Sequence, residues 1–147
     1  MPYNQSVNKT DLLLKDIPWY DAVSAGIINN FVFGWYRNVQ SYNFSDILEP
    51  AYGYWIYAYE PCEIWVENIT ITPDCYITDV EGGWNIVGVP YDQNVSKYDI
   101  IVNDILWDDA VATDIISDFV FGWSRTGQSY DFADTLMPGY AYWIFTV

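Results

Sequence analysis

The stretch Phe31-Val32-Phe33-Gly34-Trp35 recurs 88 residues later as Phe119-Val120-Phe121-Gly122-Trp123. Sliding the chain by that interval places residues 2–59 on residues 90–147 without a gap, and 31 of the 58 aligned pairs are identical. Identity of this kind indicates duplication of one structural unit, because shared composition alone does not preserve residue order. The resulting domains are repeat unit 1 (residues 1–59), a connector hairpin with both cysteines (60–83) and repeat unit 2 (84–147).

Alternation of apolar side chains predicts antiparallel strands in each unit. Phe119, Phe121 and Trp123 alternate with other residues, which is typical of a strand. Residues 140–147 predict an aromatic-rich last strand, and the apolar run 84–89 predicts a buried strand that opens unit 2. The expected fold class is therefore α+β and β-dominated, with two small, homologous, sandwich-like units of antiparallel strands and short helices.

Two short helices are also expected in each unit. Ser96 is a good N-cap residue and predicts a helix at residues 98–102, as Asn8 does at residues 10–14. Apolar residues then recur at every fourth position between 107 and 115, and at the equivalent positions of unit 1. That spacing predicts a second helix of about two to three turns.

The chain is out of phase with its own repeat. Unit 1 lacks an opening strand like residues 84–89, and unit 2 lacks closing strands like Glu63–Val66, which we expect beside the last strand of unit 1. Unpaired apolar edges of this kind are templates for a strand from another chain. We expect neighbouring copies to fill them by head-to-tail strand exchange, with residues 60–89 as the donor. The alternative is that the chain is an excerpt of a longer array whose neighbours are covalently attached. The residues assigned to the exchange are Trp84, Ile86, Val87, Tyr140, Tyr142, Trp143 and Ile144.

Charge and composition exclude several classes of partner. The chain has 20 acidic and 5 basic residues, a net charge of -15, and 52% apolar residues. So acidic a surface repels nucleic acid and anionic lipid, and no apolar run is long enough to span a membrane. Five Asn-x-Ser/Thr sequons, against about one expected by chance, point to a glycosylated protein of the cell exterior. They begin at Asn4, Asn8, Asn43, Asn68 and Asn94. The simpler interpretation is a loop composition rich in Asn and Ser.

The two cysteines lie in the connector. Cys62 and Cys75 are close enough in sequence to be joined across a local hairpin, and we predict this disulfide. It would close a loop of about 14 residues and contribute roughly 3 kcal/mol.

A family resemblance rests on the beginning and the end of unit 2. Trp84-Asn85-Ile86-Val87-Gly88-Val89-Pro90 resembles the Trp-Asn-hydrophobic-hydrophobic-Gly/Ser-x-Pro start of repeats in large secreted surface proteins of archaea and bacteria. Residues 137–145 resemble the Pro-Gly-x-Gly-Tyr-Trp close of the same repeats, and the segments 107–111 and 121–125 resemble the archaeal version. The resemblance implies an architectural module.

Residues for catalysis are few. The chain has no histidine, so the usual nucleophile–base pairs are excluded. Two carboxylates would suffice for glycoside hydrolysis, and the candidates are Asp21, Asp46, Asp109 and Asp134. The simpler interpretation is that these aspartates start helices and make turns. No stretch has the spacing of a calcium loop, so we predict no enzymatic activity, no metal and no cofactor.

Aromatic residues and two equivalent arginines allow another interpretation. Stacking on tryptophan and tyrosine rings is a common way to bind sugars, and arginine can stack beside them. The candidates are Trp35, Arg37, Tyr54, Trp55, Trp123 and Arg125. The simpler account is that small units use large aromatic side chains to fill their cores and interfaces.

The sequence therefore predicts a non-enzymatic structural repeat protein of the cell exterior. Its expected partners are copies of itself in a surface layer, sheath or filament, and surface glycans in addition. A carbohydrate-binding module is the alternative function.

Overall fold

A computed structural model of the chain describes residues 5–67 and 76–147. It confirms the predicted fold class, because the chain forms several small antiparallel sheets with short helices. Unit 1 and the segment after it contain β1 (Val7–Asn8), a 3₁₀ turn (Lys9–Asp11), β2 (Leu13–Leu14), β3 (Ile17–Pro18), α1 (Trp19–Ser24), β4 (Ile28–Tyr36), β5 (Ser41–Phe44), β6 (Ile47–Leu48), β7 (Tyr54–Ala58) and β8 (Ile64–Trp65). Unit 2 contains β9 (Gly83–Gly88), β10 (Val95–Ser96), a 3₁₀ turn (Lys97–Asp99), β11 (Ile101–Val102), β12 (Ile105–Leu106), α2 (Trp107–Ala112), β13 (Phe121–Ser124), β14 (Ser129–Phe132), β15 (Thr135–Leu136) and β16 (Ala141–Thr146).

The main sheets of the two units differ by one strand. Unit 1 has the order β5-β4-β7, and unit 2 has the order β14-β13-β16-β9. Strand β16 lies between β13 and β9 and pairs with both. The prediction that residues 140–147 form an unpaired edge is therefore wrong, because the strand that opens unit 2 folds back onto the strand that closes it.

The predicted closing strand is also placed differently. Ile64 and Trp65 do not lie beside β7; they pair with Leu14 and Leu13 of β2. Lys15 anchors this pairing, because its ammonium group lies 2.7 Å from the Glu60 carboxylate. The predicted closing strand therefore pairs with the edge of the short β2–β3 hairpin, and not with the edge of the main sheet.

The first helix of each unit is a single 3₁₀ turn. Its predicted caps are confirmed: the Asn8 side chain accepts the Thr10 amide at 3.0 Å, and Ser96 accepts the Tyr98 amide at 3.3 Å. The prediction that these helices continue to residues 14 and 102 is wrong, because each helix ends after this turn.

Hairpin turns replace those longer helices. Lys15 and Asp16 have φ of 49° and 66°, and Asn103 and Asp104 have φ of 49° and 65°. Two consecutive left-handed residues match the twist of a tight hairpin, so the chain reverses there.

Helices α1 and α2 have six residues each, fewer than the two to three turns predicted. Gly26 and Asp114 adopt left-handed conformations after them, with φ of 70° and 56°. The amides of Ile27 and Ile115 then bond back to the helices at 3.0 and 2.9 Å. The apolar residues at every fourth position continue past the helix end because this turn still points them inward.

Each unit has its own core around one tryptophan. Trp19 and Trp107 are fully buried, and each donates its indole N–H to a polar residue eleven positions later. The acceptor is Asn30 in unit 1, at 2.9 Å, and Asp118 in unit 2, at 3.1 Å. The large aromatic side chain thus fills the core while its only polar atom stays satisfied.

Candidate assembly interface

The two units meet through six aromatic residues, here called the aromatic cluster. Two tryptophan pairs make the contact: Trp35 with Trp143 at 4.9 Å between ring centroids, and Trp55 with Trp123 at 5.0 Å. Trp123 is the equivalent of Trp35 in unit 2, and Trp55 is the equivalent of Trp143 in unit 1. The two pairs are therefore the same contact made twice, which is a pseudo-two-fold arrangement. The members of the cluster are Trp35, Tyr42, Trp55, Trp123, Tyr130 and Trp143.

Gly53 and Ala141 are equivalent residues that meet where the units touch. A Cβ atom on Gly53 would lie 2.4 Å from Cβ of Ala141 and 2.0 Å from Cγ2 of Ile86. Both distances are far shorter than real carbon contacts. Only glycine therefore allows the units to approach this closely, and the pseudo-two-fold axis passes near this pair.

Unit 1 also grips the outer edge of β9 with a group that we call the clamp of unit 1: Trp35, Arg37 and Gln40. The Trp35 indole donates to the backbone oxygen of Trp84 at 2.7 Å. The Gln40 side chain accepts the Trp84 amide at 2.7 Å and donates to its carbonyl at 2.9 Å. These side chains pair the edge of β9 as a neighbouring strand would.

Arg37 completes the clamp from a buried position, with 5% of its surface exposed. One terminal nitrogen donates to the Ile86 carbonyl at 2.9 Å, and the other donates to the Asp79 carbonyl and to Thr78. The guanidinium also stacks on the Tyr52 ring at 3.8 Å. Burial lowers the pKa of Arg37 from its ordinary value. Arg37 therefore ties unit 1, the segment 78–79 and β9 together.

Asn85 fixes the strand from its other side. It is fully buried, and its side chain accepts the Glu81 amide at 3.0 Å and donates to the Glu81 and Gly83 carbonyls. It also reaches Thr146 of β16 at 3.3 Å. In the Trp-Asn pair that opens the repeat motif, the backbone of Trp84 binds the clamp, and the side chain of Asn85 folds the turn before β9.

Unit 2 carries the same clamp at the equivalent positions, Trp123, Arg125 and Gln128. Arg125 stacks on Tyr140 at 4.0 Å and donates to the Gly139 carbonyl at 2.9 Å. Gln128 donates to the Arg125 carbonyl at 2.7 Å, the same contact and distance that Gln40 makes with Arg37. Arg125 and Gln128 are nevertheless exposed, because no strand of residues 5–67 or 76–147 lies against them.

A second aromatic surface lies beside the cluster on each sheet. Phe44 of β5 contacts Phe31 at 5.1 Å and Phe33 at 5.0 Å, and it is 58% exposed. The equivalent Phe132 of β14 is 71% exposed. Both β5 and β14 are outer strands, and all their residues are exposed. We call these two surfaces the phenylalanine patches: Phe31, Phe33 and Phe44 in unit 1, and Phe119, Phe121 and Phe132 in unit 2.

The candidates for sugar stacking fall into the inter-unit contact. Trp35, Trp55 and Trp123 pack edge to face in the aromatic cluster, and Arg37 is in the clamp of unit 1. Tyr54 has a structural role, because its hydroxyl accepts the Glu49 amide at 2.7 Å. Burial raises the pKa of Tyr54 to about 12.

The acidic candidates lie in structural contacts. Asp46 is bound by Lys9 at 2.7 Å, and Asp134 by Lys97 at 3.0 Å. Asp21 and Asp109 lie in the first turns of α1 and α2, where carboxylates favour helix formation. None of these contacts pairs one candidate with another.

The residues assigned to strand exchange lie mostly inside unit 2. Ile86, Val87, Tyr142 and Ile144 are buried in the four-stranded sheet, while Trp84 is 40% exposed. Tyr140 lies under Arg125, and Trp143 belongs to the aromatic cluster. Residues 83–88 are therefore already held at both edges within the chain, and this corrects the prediction that they are free to act as a donor.

Several modification candidates lie outside the described residues. Cys75, Asn4 and Asn68 are among these, so the disulfide with Cys62 stays a prediction. Cys62 itself is half-buried against the core of unit 1. Of the remaining sequons, those at Asn43 and Asn94 are exposed, whereas Asn8 caps the 3₁₀ turn of unit 1.

Sequence reasoning missed Gln40, Gln128 and Gly53. The glutamines were recognisable, because both copies keep a Gln three positions after the Arg. The role of Gly53 was not, because its partner position carries Ala141 and only the packed interface shows why a Cβ is excluded.

Comparison of this chain with models of known protein families, with curated proteins and with solved structures finds no match. Across the described part of the chain, no helix is long and apolar enough to cross a lipid bilayer.

Proposed function

We propose that this chain is a non-enzymatic structural repeat protein of the cell exterior that self-assembles into a surface layer, sheath or filament. Its partners are further copies of the same chain. The proposal is supported by the repeat, by the exposed sequons at Asn43 and Asn94, and by exposed aromatic surfaces outside the contact between the two units.

The single observation that carries the proposal is the pair of phenylalanine patches. Each patch is an exposed group of large apolar rings next to an outer strand whose far edge has no partner strand among residues 5–67 and 76–147. Exposed aromatic surface beside an open sheet edge is typical of a protein–protein contact. Because one chain carries two such patches, each copy can join two others, and the product is an open chain of subunits where the rotation between copies does not close a ring.

This route differs from exchange of residues 83–88. The contact between units within one chain is pseudo-two-fold and closes on itself, so it does not propagate by repetition. The outer strands β5 and β14 remain available, and growth through them leaves the clamp contacts in place.

The carbohydrate-binding alternative is not carried further. A stacking platform needs an open aromatic face, and the tryptophans assigned to it pack against one another between the units.

Sedimentation and negative-stain imaging of the purified chain test the proposal. We expect ordered polymers that lengthen with protein concentration. The double variant Phe44→Ser/Phe132→Ser should be a folded monomer, because it removes the most exposed ring of each patch. Leu106→Ser is the matched control, since it removes an exposed apolar side chain outside the patches and should polymerise normally.

The single variants define the polarity of the contact. If like patches meet, Phe44→Ser alone should stop growth at dimers; if unlike patches meet, it should be monomeric until mixed with Phe132→Ser. A wild-type chain that stays monomeric at all concentrations and is retarded by immobilised polysaccharide would refute the proposal and support the alternative.

A further inference from the structure

The pseudo-two-fold relation implies a second strand-binding groove in this molecule. In unit 2, β9 lies between the edge of β16 and the clamp of unit 1. The equivalent walls are the outer edge of β7 and the clamp of unit 2. They already approach each other, because Trp55 of β7 contacts Trp123 of that clamp just as Trp143 of β16 contacts Trp35. We call the space between them the open groove.

The residues of β7 that line the open groove are more exposed than the equivalent residues of β16, which β9 covers. Tyr142, Ile144 and Thr146 of β16 are buried beside β9. Their equivalents on β7 are half-buried (Tyr54 and Ile56) or exposed (Ala58). Tyr57, whose equivalent Phe145 packs edge to face on Trp84 at 5.1 Å between ring centroids, is 64% exposed. A missing strand partner explains all four differences.

The second wall is already in its binding conformation. Arg125 stacks on Tyr140 as Arg37 stacks on Tyr52, and Gln128 makes the same backbone contact as Gln40. Binding therefore costs little ordering of these side chains, which favours affinity.

We propose that the open groove binds the opening strand of a further repeat unit, an extended segment of the type Gly-Trp-Asn-x-Val-Gly. The register of β9 on β16 gives the register of this strand on β7. Its Trp would lie opposite Tyr57 and its Asn opposite Ile56. Trp123 and Gln128 would bond the backbone of its Trp, and Arg125 would bond the carbonyl two residues later.

A count of strands and grooves identifies the molecule that supplies the incoming strand. The described chain has two grooves and one strand of this type, residues 83–88, which already fills one groove. Exchange between identical copies empties one groove for each one that it fills, so it gives no net gain in pairing. The strand therefore comes from an additional repeat unit. The patches border the grooves, because Phe121 contacts Trp84 at 6.1 Å, but the inference does not depend on their most exposed rings, Phe44 and Phe132.

Ala141 gives the open groove its own side-chain preference. In the groove that β9 fills, the equivalent residue is Gly53, which leaves room for Ile86. A Cβ atom on Gly53 would lie 2.0 Å from Cγ2 of Ile86. Ala141 has that Cβ. The position x of the incoming strand is therefore expected to be small, and Ala141→Gly should admit isoleucine.

Binding of two labelled peptides to the full chain, measured by fluorescence anisotropy, tests the proposal. One peptide has the sequence of residues 81–90, and the other carries Ile86→Ala. We expect one peptide per chain, with the alanine peptide binding at least about tenfold more tightly. Ala141→Gly should raise the affinity for the isoleucine peptide by a similar factor.

Variants of the clamp locate the binding. Arg125→Ala and Gln128→Ala should each weaken both peptides about tenfold without lowering the melting temperature, because these side chains are exposed. Lys15→Ala removes an equal charge in the β2–β3 hairpin and should leave binding unchanged.

Three outcomes would overturn the proposal. The first is failure of both peptides to bind, and the second is binding that survives Arg125→Ala and Gln128→Ala together. The third is competition by an unlabelled chain that carries Arg125→Ala and Gln128→Ala, which offers residues 83–88 but should not bind the peptide itself; such competition would show that identical copies supply the strand. The double variant Phe44→Ser/Phe132→Ser, which should not polymerise, should bind the peptides normally, so failure of the assembly proposal remains distinguishable from failure of this one.

Discussion

Arg37 and Arg125 occupy equivalent positions after equivalent strands, and they stack on equivalent tyrosines at 3.8 and 4.0 Å. Arg37 is buried and bonded to β9, whereas Arg125 is exposed. The local sequence thus builds the same clamp twice, and the two differ in whether a strand occupies the clamp. The comparison shows that the environment of a repeated residue depends on its neighbouring unit as much as on its own.

The cores should respond alike in the two units, because their tryptophans are equally buried. Trp19→Ala and Trp107→Ala are each expected to lower the free energy of unfolding by about 3–5 kcal/mol, since each leaves a large cavity in a core. Urea denaturation followed by circular dichroism measures both. A loss below about 1 kcal/mol in either variant would break the equivalence of the two cores.

The clamps should respond differently, and this is the direct test of the comparison. Arg37→Ala removes charged hydrogen bonds to the Ile86 and Asp79 carbonyls and should cost about 2–3 kcal/mol. Arg125→Ala is the matched control and should change stability by less than about 0.5 kcal/mol. Equal losses in the two variants would show that Arg125 stabilises the monomer without a strand in its groove, which would contradict the comparison. Both values come from denaturation of dilute, monomeric protein.

The next largest loss of stability is expected where the two units approach each other most closely, at Gly53. Gly53→Ala places a Cβ against Ile86 and Ala141 and should cost about 1–3 kcal/mol, because β9 or the facing sheet must move. Gly82→Ala is the control, since nothing lies within 4 Å of a Cβ there. A Gly53→Ala variant as stable as the wild type in thermal melts would mean that the units do not meet at this residue.

The caps, the duplicated strands and the fold class were predictable from sequence because they depend on local pattern. Asn8 and Ser96 cap as predicted, since the cap hydrogen bond spans only two residues. Pairing between distant strands was not predictable, and Ile64–Trp65 shows why: its alternation fits any apolar edge, and the β2–β3 hairpin supplied one. The clamp escaped sequence reasoning because its function is defined by a strand in the other unit, 44 or more positions away.

The smallest predicted effect concerns pH. The residue that accepts the core indole is Asn30 in unit 1 and Asp118 in unit 2. The hydrogen bond from Trp107 and the nearby ammonium of Lys97 hold the pKa of Asp118 below its ordinary value of 3.8. Asp118 therefore contributes stability that is complete above that value and is lost as pH falls below it.

Asp118→Asn converts unit 2 to the arrangement of unit 1 and should flatten this part of the acid transition. The amide oxygen can still accept the Trp107 indole, as Asn30 accepts Trp19, so the core should be retained at neutral pH. The Asp118 side chain is about half exposed, and solvent screening keeps its effect smaller than that of any substitution above. Thermal melts between pH 6 and 3 compare the two proteins. If their melting temperatures fall in parallel, the two units do not differ in acid sensitivity through this residue, and the acid transition belongs to carboxylates that both units share.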